Sequence, residues 1–241
     1  MSMVTTSSWV DRLRQFAHVD PYGDIFREKP FERIRKVLNP RYMTRKVLLT
    51  LYERSHPNHP WITQEATAAF DVLLRPYHRG LEWGSGGGTV WIAQRCRSLV
   101  SVEHHHGWFE KVSTNLHTLG LSNVDYRLVD EGRYLDVTNA FPDGFFDFVV
   151  VDGLFRDGAF LRSIPKLRDE GFIVFDNVNW YLPSNSDTPH SCSYADGPAN
   201  EGFGKVADIV RSWKTVWTTN GVNDTAIFIK PHHDGAAAPP G

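Results

Sequence analysis

The chain has 241 residues, enough for one domain with an added segment, or at most two. A formal net charge of −2 excludes bulk-charge nucleic-acid binding, and 41% apolar residues can fill an ordinary core. Two cysteines, Cys96 and Cys192, exclude a disulfide framework.

Residues 1–60 form an N-terminal segment. Its opening, MSMVTTSSWVDRLRQF, lacks the apolar core of a signal peptide, and no apolar run in the chain approaches membrane-spanning length. A cytoplasmic location is the expectation. Helices are expected over Trp9–Phe16, over Phe31–Leu38 with Asn39-Pro40 as its stop, and over Tyr42–Tyr52. The segment is basic, with Arg27, Lys29, Arg33, Arg35, Lys36, Arg41, Arg45, Lys46 and Arg54 against three glutamates, Glu28, Glu32 and Glu53. Two readings stand: the solvated faces of lid helices, or a surface for anionic lipid headgroups or an anionic substrate.

Pro57–Pro60 is a loop, and Thr63 is a candidate N-cap for a helix over Glu65–Leu74. Trp61 and Thr63 precede the first strand closely enough to fold back over a ligand bound there. Trp61 reads equally well as a core aromatic.

The stretch Gly80–Glu103 then reads as strand, glycine turn, helix and strand, closed by an acid. Leu81–Trp83 is the first strand. Gly84, Ser85, Gly86, Gly87 and Gly88 make a turn with almost no side chains, on which a ligand can lie against the backbone. Thr89–Arg95 is the helix, whose first N–H groups suit a negative ligand group. Ser98–Val102 is the second strand, and Glu103 at its carboxyl end can accept both hydroxyls of a ribose. The dinucleotide fingerprint requires a third glycine where Thr89 stands, which argues against a nicotinamide-dependent oxidoreductase. The glycines at 84, 86 and 88 form G-x-G-x-G instead. This pattern resembles the first motif of the class I S-adenosylmethionine (SAM)-dependent methyltransferases.

His104-His105-His106 follows. Three consecutive side chains diverge, so a metal site is not expected there; His104 is placed beside an adenosine. Trp108, Phe109, Val112, Leu116 and Leu119 recur at helical spacing, with Gly120 as the stop. Asn123–Val129 is a third strand. Asp130-Glu131 after it either meets an adenine amino group or is an ordinary acidic loop.

Phe146–Val151 (FDFVVV) has the unbroken apolar character of a buried parallel strand and ends in Asp152-Gly153. A helix is expected over Asp157–Leu167, with Phe160, Ile164 and Leu167 inward. A fifth strand follows over Phe172–Phe175, ending in Asp176-Asn177. Residues 181–202 are polar and rich in Pro, Ser, Asn and Gly; a loop of that length is functional or disordered, and it carries His190. A helix over Phe203–Ser212 and strands over Thr215–Thr218 and Thr225–Ile229, joined around Asn220-Gly221, complete the pattern. The tail after Pro231 is expected to be disordered.

The resemblance covers roughly residues 60–230, through LEWGSGGGT, SVEH, FDFVVVDG, GFIVFDN and TNGVNDTAIFIK. It implies an α/β fold: a Rossmann-like seven-stranded, mostly parallel sheet with a C-terminal antiparallel hairpin, plus an N-terminal helical segment. The implied domains are a helical lid over 1–60, a SAM-binding domain over 61–231 and a tail over 232–241. The implied cofactor set is Trp61, Thr63, Glu82, Gly84, Ser85, Gly86, Gly88, Thr89, Glu103, His104, Asp130 and Asp152. In it the three glycines approach the methionine part, Glu103 holds the ribose, and Asp152 lies near the methyl donor.

Within that family the acids after strands four and five look like those of the catechol-type O-methyltransferases, where they hold magnesium. By position the metal set is Asp152, Asp176 and Asn177, oxygen ligands that suit Mg2+. Asp176 reads equally as a loop cap. The wider surroundings of that subfamily are not recognisable here. Because the sulfonium methyl is already activated, the protein must align an acceptor and remove its proton; Asp152, Asp176 and His190 are the candidates. The expected activity is methyl transfer to a small-molecule hydroxyl on a sugar, lipid headgroup or phenol. No Asn/Asp-Pro-Pro-Tyr motif follows strand four, so a nucleic-acid substrate is not expected. The alternative outside enzymology is a non-catalytic SAM-binding module that sits on a membrane through the basic N-terminal helices.

Overall fold

A computed structural model describes residues 35–232. The helix expected over Trp9–Phe16 and the tail from 233 lie outside the described residues, as does most of Phe31–Leu38, of which residues 35–37 are helical. Helix α1 spans Pro40–Ser55. It is longer than expected because Asn39-Pro40 opens it: the Asn39 side chain accepts from the Arg41 amide at 2.9 Å, and proline suits a first helical position. Helix α2 spans Gln64–Leu73 and is capped by Thr63, which accepts from the Ala66 amide at 3.2 Å.

The remaining elements follow the expected order. They are β1 (Arg79–Trp83), α3 (Gly87–Ala93), β2 (Ser98–Glu103), α4 (His106–Thr118), β3 (Val124–Leu128), a 3-10 helix (Glu131–Ala140) and β4 (Phe146–Val151). Then come α5 (Arg156–Ser163), β5 (Leu167–Asp176), a 3-10 turn (Val178–Trp180), α6 (Glu201–Val210), β6 (Lys214–Thr219) and β7 (Asp224–Ile229). The expectation of a helix running to Leu167 is corrected. Pro165 cannot donate to a helix ladder, so α5 stops at Ser163, and Leu167 pairs instead with Phe146 as the first residue of β5. The hairpin loop at Asn220–Asn223 is longer than two residues, with Gly221 at φ 75° and the Asn220 side chain accepting from the amides of Val222 and Asn223.

The seven strands form one sheet in the order β3-β2-β1-β4-β5-β7-β6. All neighbours are parallel except where β7 pairs antiparallel with β5 and β6. The strand order reverses between β1 and β4, so the crevice for a ligand opens at the carboxyl ends of those two strands.

Alternation along the central strands feeds two cores. Val149, Val151, Ile173, Phe175 and Phe228 face one side with Phe160 and Phe203. Phe148, Val150, Phe172, Val174 and Ile227 face the other with Phe70 and Trp91. Burial on both faces is why FDFVVV reads as an unbroken apolar run. Its one charged residue, Asp147, sits beside the register shift of β4 and accepts from the Arg79 amide and the Arg168 guanidinium, each at 2.7 Å. Among the described residues, no helix is long and apolar enough to cross a membrane.

Candidate functional site

The glycine turn is built from below by Glu82. This residue is 3% exposed, and its carboxyl accepts from Thr89 Oγ1 at 2.8 Å and Ser101 Oγ at 2.5 Å. Burial pushes the carboxyl up to about 8, against those two hydrogen bonds. Thr89 Oγ1 in turn accepts from the Gly86 amide at 3.0 Å. Glu82 and Thr89 therefore form the floor that ties β1 and β2 to the first turn of α3.

Close approach explains the glycines. Gly84 has φ 87°, and a Cβ there would lie 2.6 Å from Gly153 Cα, just past the ends of the paired strands β1 and β4. A Cβ on Gly87 would lie 2.3 Å from the Pro57 carbonyl oxygen, and one on Gly88 would lie 3.5 Å from Pro60 Cα. The Pro57–Pro60 loop thus packs along the outer side of the turn. A Cβ built at Gly86 meets nothing within 4 Å. That face of the backbone is open to a ligand.

Ser85 crosses the crevice to the end of β2. Its amide and hydroxyl donate to Glu103 Oε2 at 3.1 and 2.8 Å. The other carboxylate oxygen accepts from the amides of His104 and His105 at 2.9 and 2.7 Å, with His104 Nδ1 at 3.2 Å. Burial alone would raise this carboxyl. The bonds from His104, His105 and Ser85 outweigh it and hold it at about 2, firmly ionised. Tyr126, which the sequence did not single out, places its hydroxyl 2.6 Å from Ser85 Oγ and stacks its ring on Phe109.

Trp61, Thr63 and Asp130 have different surroundings. Trp61 is 41% exposed and meets Trp108, at the start of α4, edge to face with ring centroids 5.8 Å apart. It is a rim aromatic and no core residue. Thr63 is buried: besides capping α2 it bonds the Thr218 hydroxyl, and its amide donates to Thr225 Oγ1 at 3.2 Å. Asp130 is exposed beyond β3, with Arg133 at 3.6 Å.

The second cluster lies at the ends of β4 and β5. Asp152, Asp176 and Asn177 do converge, and at their centre stands Arg156, from the first turn of α5. The guanidinium donates to Asp152 Oδ1 at 2.8 Å, Asn177 Oδ1 at 3.1 Å and the Asp176 carbonyl at 2.6 Å. The Asp176 carboxyl accepts instead from Thr225 Oγ1 at 2.7 Å. Burial, and then the charge of Asp152, raise Asp176 to about 8. This donor set is a poor fit for magnesium: Asn177 Oδ1 and one carboxylate oxygen each of Asp152 and Asp176 already accept from Arg156 or Thr225, and a guanidinium stands between them. Among the described residues, no group of three or more His, Cys, Asp and Glu is placed to hold a metal ion.

Residues 181–200 fold as an ordered loop around Asn179, which is fully buried. Its amide nitrogen donates to Thr188 Oγ1 at 2.8 Å and Ser191 Oγ at 2.9 Å, and its carbonyl oxygen accepts from the Asp224 amide at 3.0 Å. His190 packs its ring on Trp180, centroids 4.9 Å apart. A separate cleft of about 430 Å³ lies between α1, the Pro60–Glu65 stretch and the hairpin tip, lined by Arg45, Tyr52, Glu53, Trp61, Gln64 and Asn220 among others.

Arg156, Tyr126 and Asn179 are the site-building residues that sequence reading passed over. The one available signal was the spacing of Asp152 and Arg156, an i,i+4 pair across a turn.

No family model matches the sequence, and no curated protein matches it. Solved structures do. A protein assigned as a caffeoyl-CoA O-methyltransferase from Staphylococcus aureus is similar at 15% identity with a TM-score of 0.52, over 78% of this chain and 92% of that one. A methyltransferase from Geobacter sulfurreducens is similar at 15% identity and a TM-score of 0.50, over 81% and 92%. A protein assigned as an O-methyltransferase from Klebsiella pneumoniae is similar at 17% identity and a TM-score of 0.50, over 82% and 94%. The sheet order, the glycine turn at the switch point and these likenesses agree: the chain has the class I methyltransferase fold.

Proposed function

We propose that the protein transfers the methyl group of SAM to a hydroxyl oxygen of a small-molecule acceptor. The observation that carries this reading is the joining of the open Gly86 backbone to an ionised Glu103 through Ser85, at the switch point of the sheet. A ribose diol is a donor pair, and an acid held at about 2 is its natural acceptor. All the near acceptor positions of Glu103 are taken by Ser85, His104 and His105, so the ribose would exchange places with the Ser85 hydroxyl. Gly84, Gly86 and Gly88 would carry the methionine part above the floor of Glu82 and Thr89. Trp61 and His104 would flank the adenosine, and Asp130 would stand near the adenine. Thr63 would act from beneath, by fixing the start of α2.

Bound SAM supplies a methyl carbon already activated by its sulfonium. The acceptor oxygen would bond to that carbon as the carbon–sulfur bond broke, releasing the thioether, and the hydroxyl proton would have to leave to a base. Asp152 suits that role. Its side chain is 40% exposed at the rim and Arg156 fixes one of its oxygens; burial raises its carboxyl as well, and the Arg156 charge opposes that rise. Asp176 suits it less, because a buried acid raised to about 8 is protonated at neutral pH. His190 stands on Trp180 as a further candidate. The similar Staphylococcus and Klebsiella proteins are assigned as O-methyltransferases, which favours oxygen as the acceptor atom.

Calorimetric titration with SAM tests the reading. Wild-type protein should bind in the micromolar range, and Glu103→Ala should weaken binding by at least about tenfold, or 1.4 kcal/mol. Folded wild-type protein that binds no SAM would sink it.

A second reading has its own observation. Helix α1 exposes Val47, Leu48 and Leu51 together with Arg41, Arg45 and Arg54, which favours contact with an anionic membrane surface. Flotation with vesicles containing phosphatidylserine checks it; protein left at the bottom of the gradient would remove it.

A further inference from the structure

We propose that Arg156 is a protein-supplied cation at the acceptor rim, standing at the position where the resemblance leads one to expect magnesium, so that the rim of Asp152, Asp176 and Asn177 works without a metal.

The guanidinium is fully committed. Nε donates to the Gly153 carbonyl at 3.2 Å, and one terminal nitrogen donates to the Asp176 carbonyl at 2.6 Å and Asn177 Oδ1 at 3.1 Å. The other donates to the Asp152 carbonyl at 3.0 Å and Asp152 Oδ1 at 2.8 Å. Five N–H groups thus meet five acceptors, the full capacity of an arginine. Its side chain is 13% exposed, and its central carbon lies 5.6 Å from the centroid of the Tyr181 ring.

The backbone is shaped to receive it. Phe155, immediately before Arg156, has φ 46°, and Asn177 has φ 53°; both are left-handed positions held by residues other than glycine. The two turns bring the ends of β4 and β5 around one planar cation. A magnesium ion bound by Asp152 and Asn177 would compete with Arg156 for Asp152 Oδ1 and Asn177 Oδ1 at about 2.1 Å, and would place a second cation beside a guanidinium that is already held there.

The charge of Arg156 therefore does what a structural metal would do for this rim. It joins the two strand ends, and it orients Asp152 with one oxygen fixed. Because every N–H is used, Arg156 does not itself grip the acceptor; it is a positioning residue. Lysine would keep the charge but has only three donors on a single nitrogen, so it cannot join the same five acceptors.

The inference rests on the methyltransferase reading only for what the rim faces, and its test is independent of SAM. Wild-type protein and Asp152→Asn are titrated with Mn2+ alone, and free Mn2+ is read by electron paramagnetic resonance. The expected result is that the two titrate alike, because no metal uses the rim. One Mn2+ bound by wild type and lost in Asp152→Asn would overturn the proposal. The comparison needs no change at Arg156, so it stands even where an Arg156 variant fails to fold. Arg156→Lys and Arg156→Ala are then compared by limited proteolysis of residues 181–200. Lysine should protect that loop less than arginine and more than alanine; equal protection in all three would also count against the proposal. Protein that binds SAM yet takes up metal at the rim would remove this inference and leave the methyl-transfer reading standing.

Discussion

Gly86 and Glu82 separate what a residue does for the ligand from what it does for the fold. Gly86 has φ −176°, an extended conformation any residue adopts, and open space where a Cβ would go. Gly86→Ala should leave the melting temperature nearly unchanged and weaken SAM binding by roughly tenfold or more in calorimetry. Glu82 makes the opposite case. Its folded-state carboxyl is raised to about 8, so between the ordinary carboxylate range and pH 8 the folded protein holds a proton that the unfolded chain has lost. Stability from this group is present at low pH and falls as pH rises through that window. Thermal melts should show Glu82→Gln losing less stability than wild type between about pH 5 and pH 8. Glu103 has the reverse sign: held at about 2, it contributes stability at neutral pH that is lost only as the solution is acidified toward that value. The glycine pattern and Glu103 were legible because their residue types are nearly obligatory at those positions. Arg156 was not, because its five acceptors come from separated stretches, 152–153 and 176–177, that meet only after β4 and β5 pair.

At the scale of elements, the turn and the loops are held by different means. Gly87→Ala should disturb the Pro57–Pro60 loop, since its Cβ would lie 2.3 Å from a backbone oxygen that no side-chain rotation can move. A lowered melting temperature, unlike the unchanged one for Gly86→Ala, is the expected reading. The Asn179 side chain bonds the 181–200 loop at Thr188 and Ser191 and the Asp224 amide of β7, beside other ties such as Ser186 to Asp224 and the Cys192 amide to the Asn179 carbonyl. Asn179→Ala leaves the buried Asp224 amide without its acceptor, at a cost of about 1–3 kcal/mol, and should make the loop sensitive to limited proteolysis at unchanged secondary structure. The strands were readable from their apolar runs and acidic ends. The order of the loop was not, because a polar stretch rich in Ser, Asn and Pro looks the same whether it is anchored by one buried amide or by none.

For the whole molecule, the sheet is the structural constant and the site is a property of its carboxyl rim. Phe148 sits at the centre of one core, between Phe70 and Phe172, with Gly80 so close that a Cβ there would overlap its ring. Phe148→Ala should cost about 3–5 kcal/mol in denaturant unfolding, and activity should fall only as far as folded protein is lost. The strand order could be inferred from the sequence only through the resemblance, since apolar runs give strands and not their neighbours. Trp61 and Thr63 were expected near the cofactor, but the packing of the Pro57–Pro60 backbone against Gly87 came from neither.

The sheet order also bears on how the molecule is made. Strand β7 is the last of the described strands in sequence, yet it lies inside the sheet, between β5 and β6. Its Thr225 carries the hydroxyl that holds Asp176, and through it the amide that begins α2. During synthesis the rim therefore stays open until β7 leaves the ribosome, and β6 has no partner in the sheet before then. A nascent chain stalled before Asp224 has every residue of the glycine turn and every expected ligand of the acceptor rim, and still no finished site. The last strand closes the assembly, so cofactor binding by ribosome-bound chains should appear abruptly with chain length instead of growing with each strand.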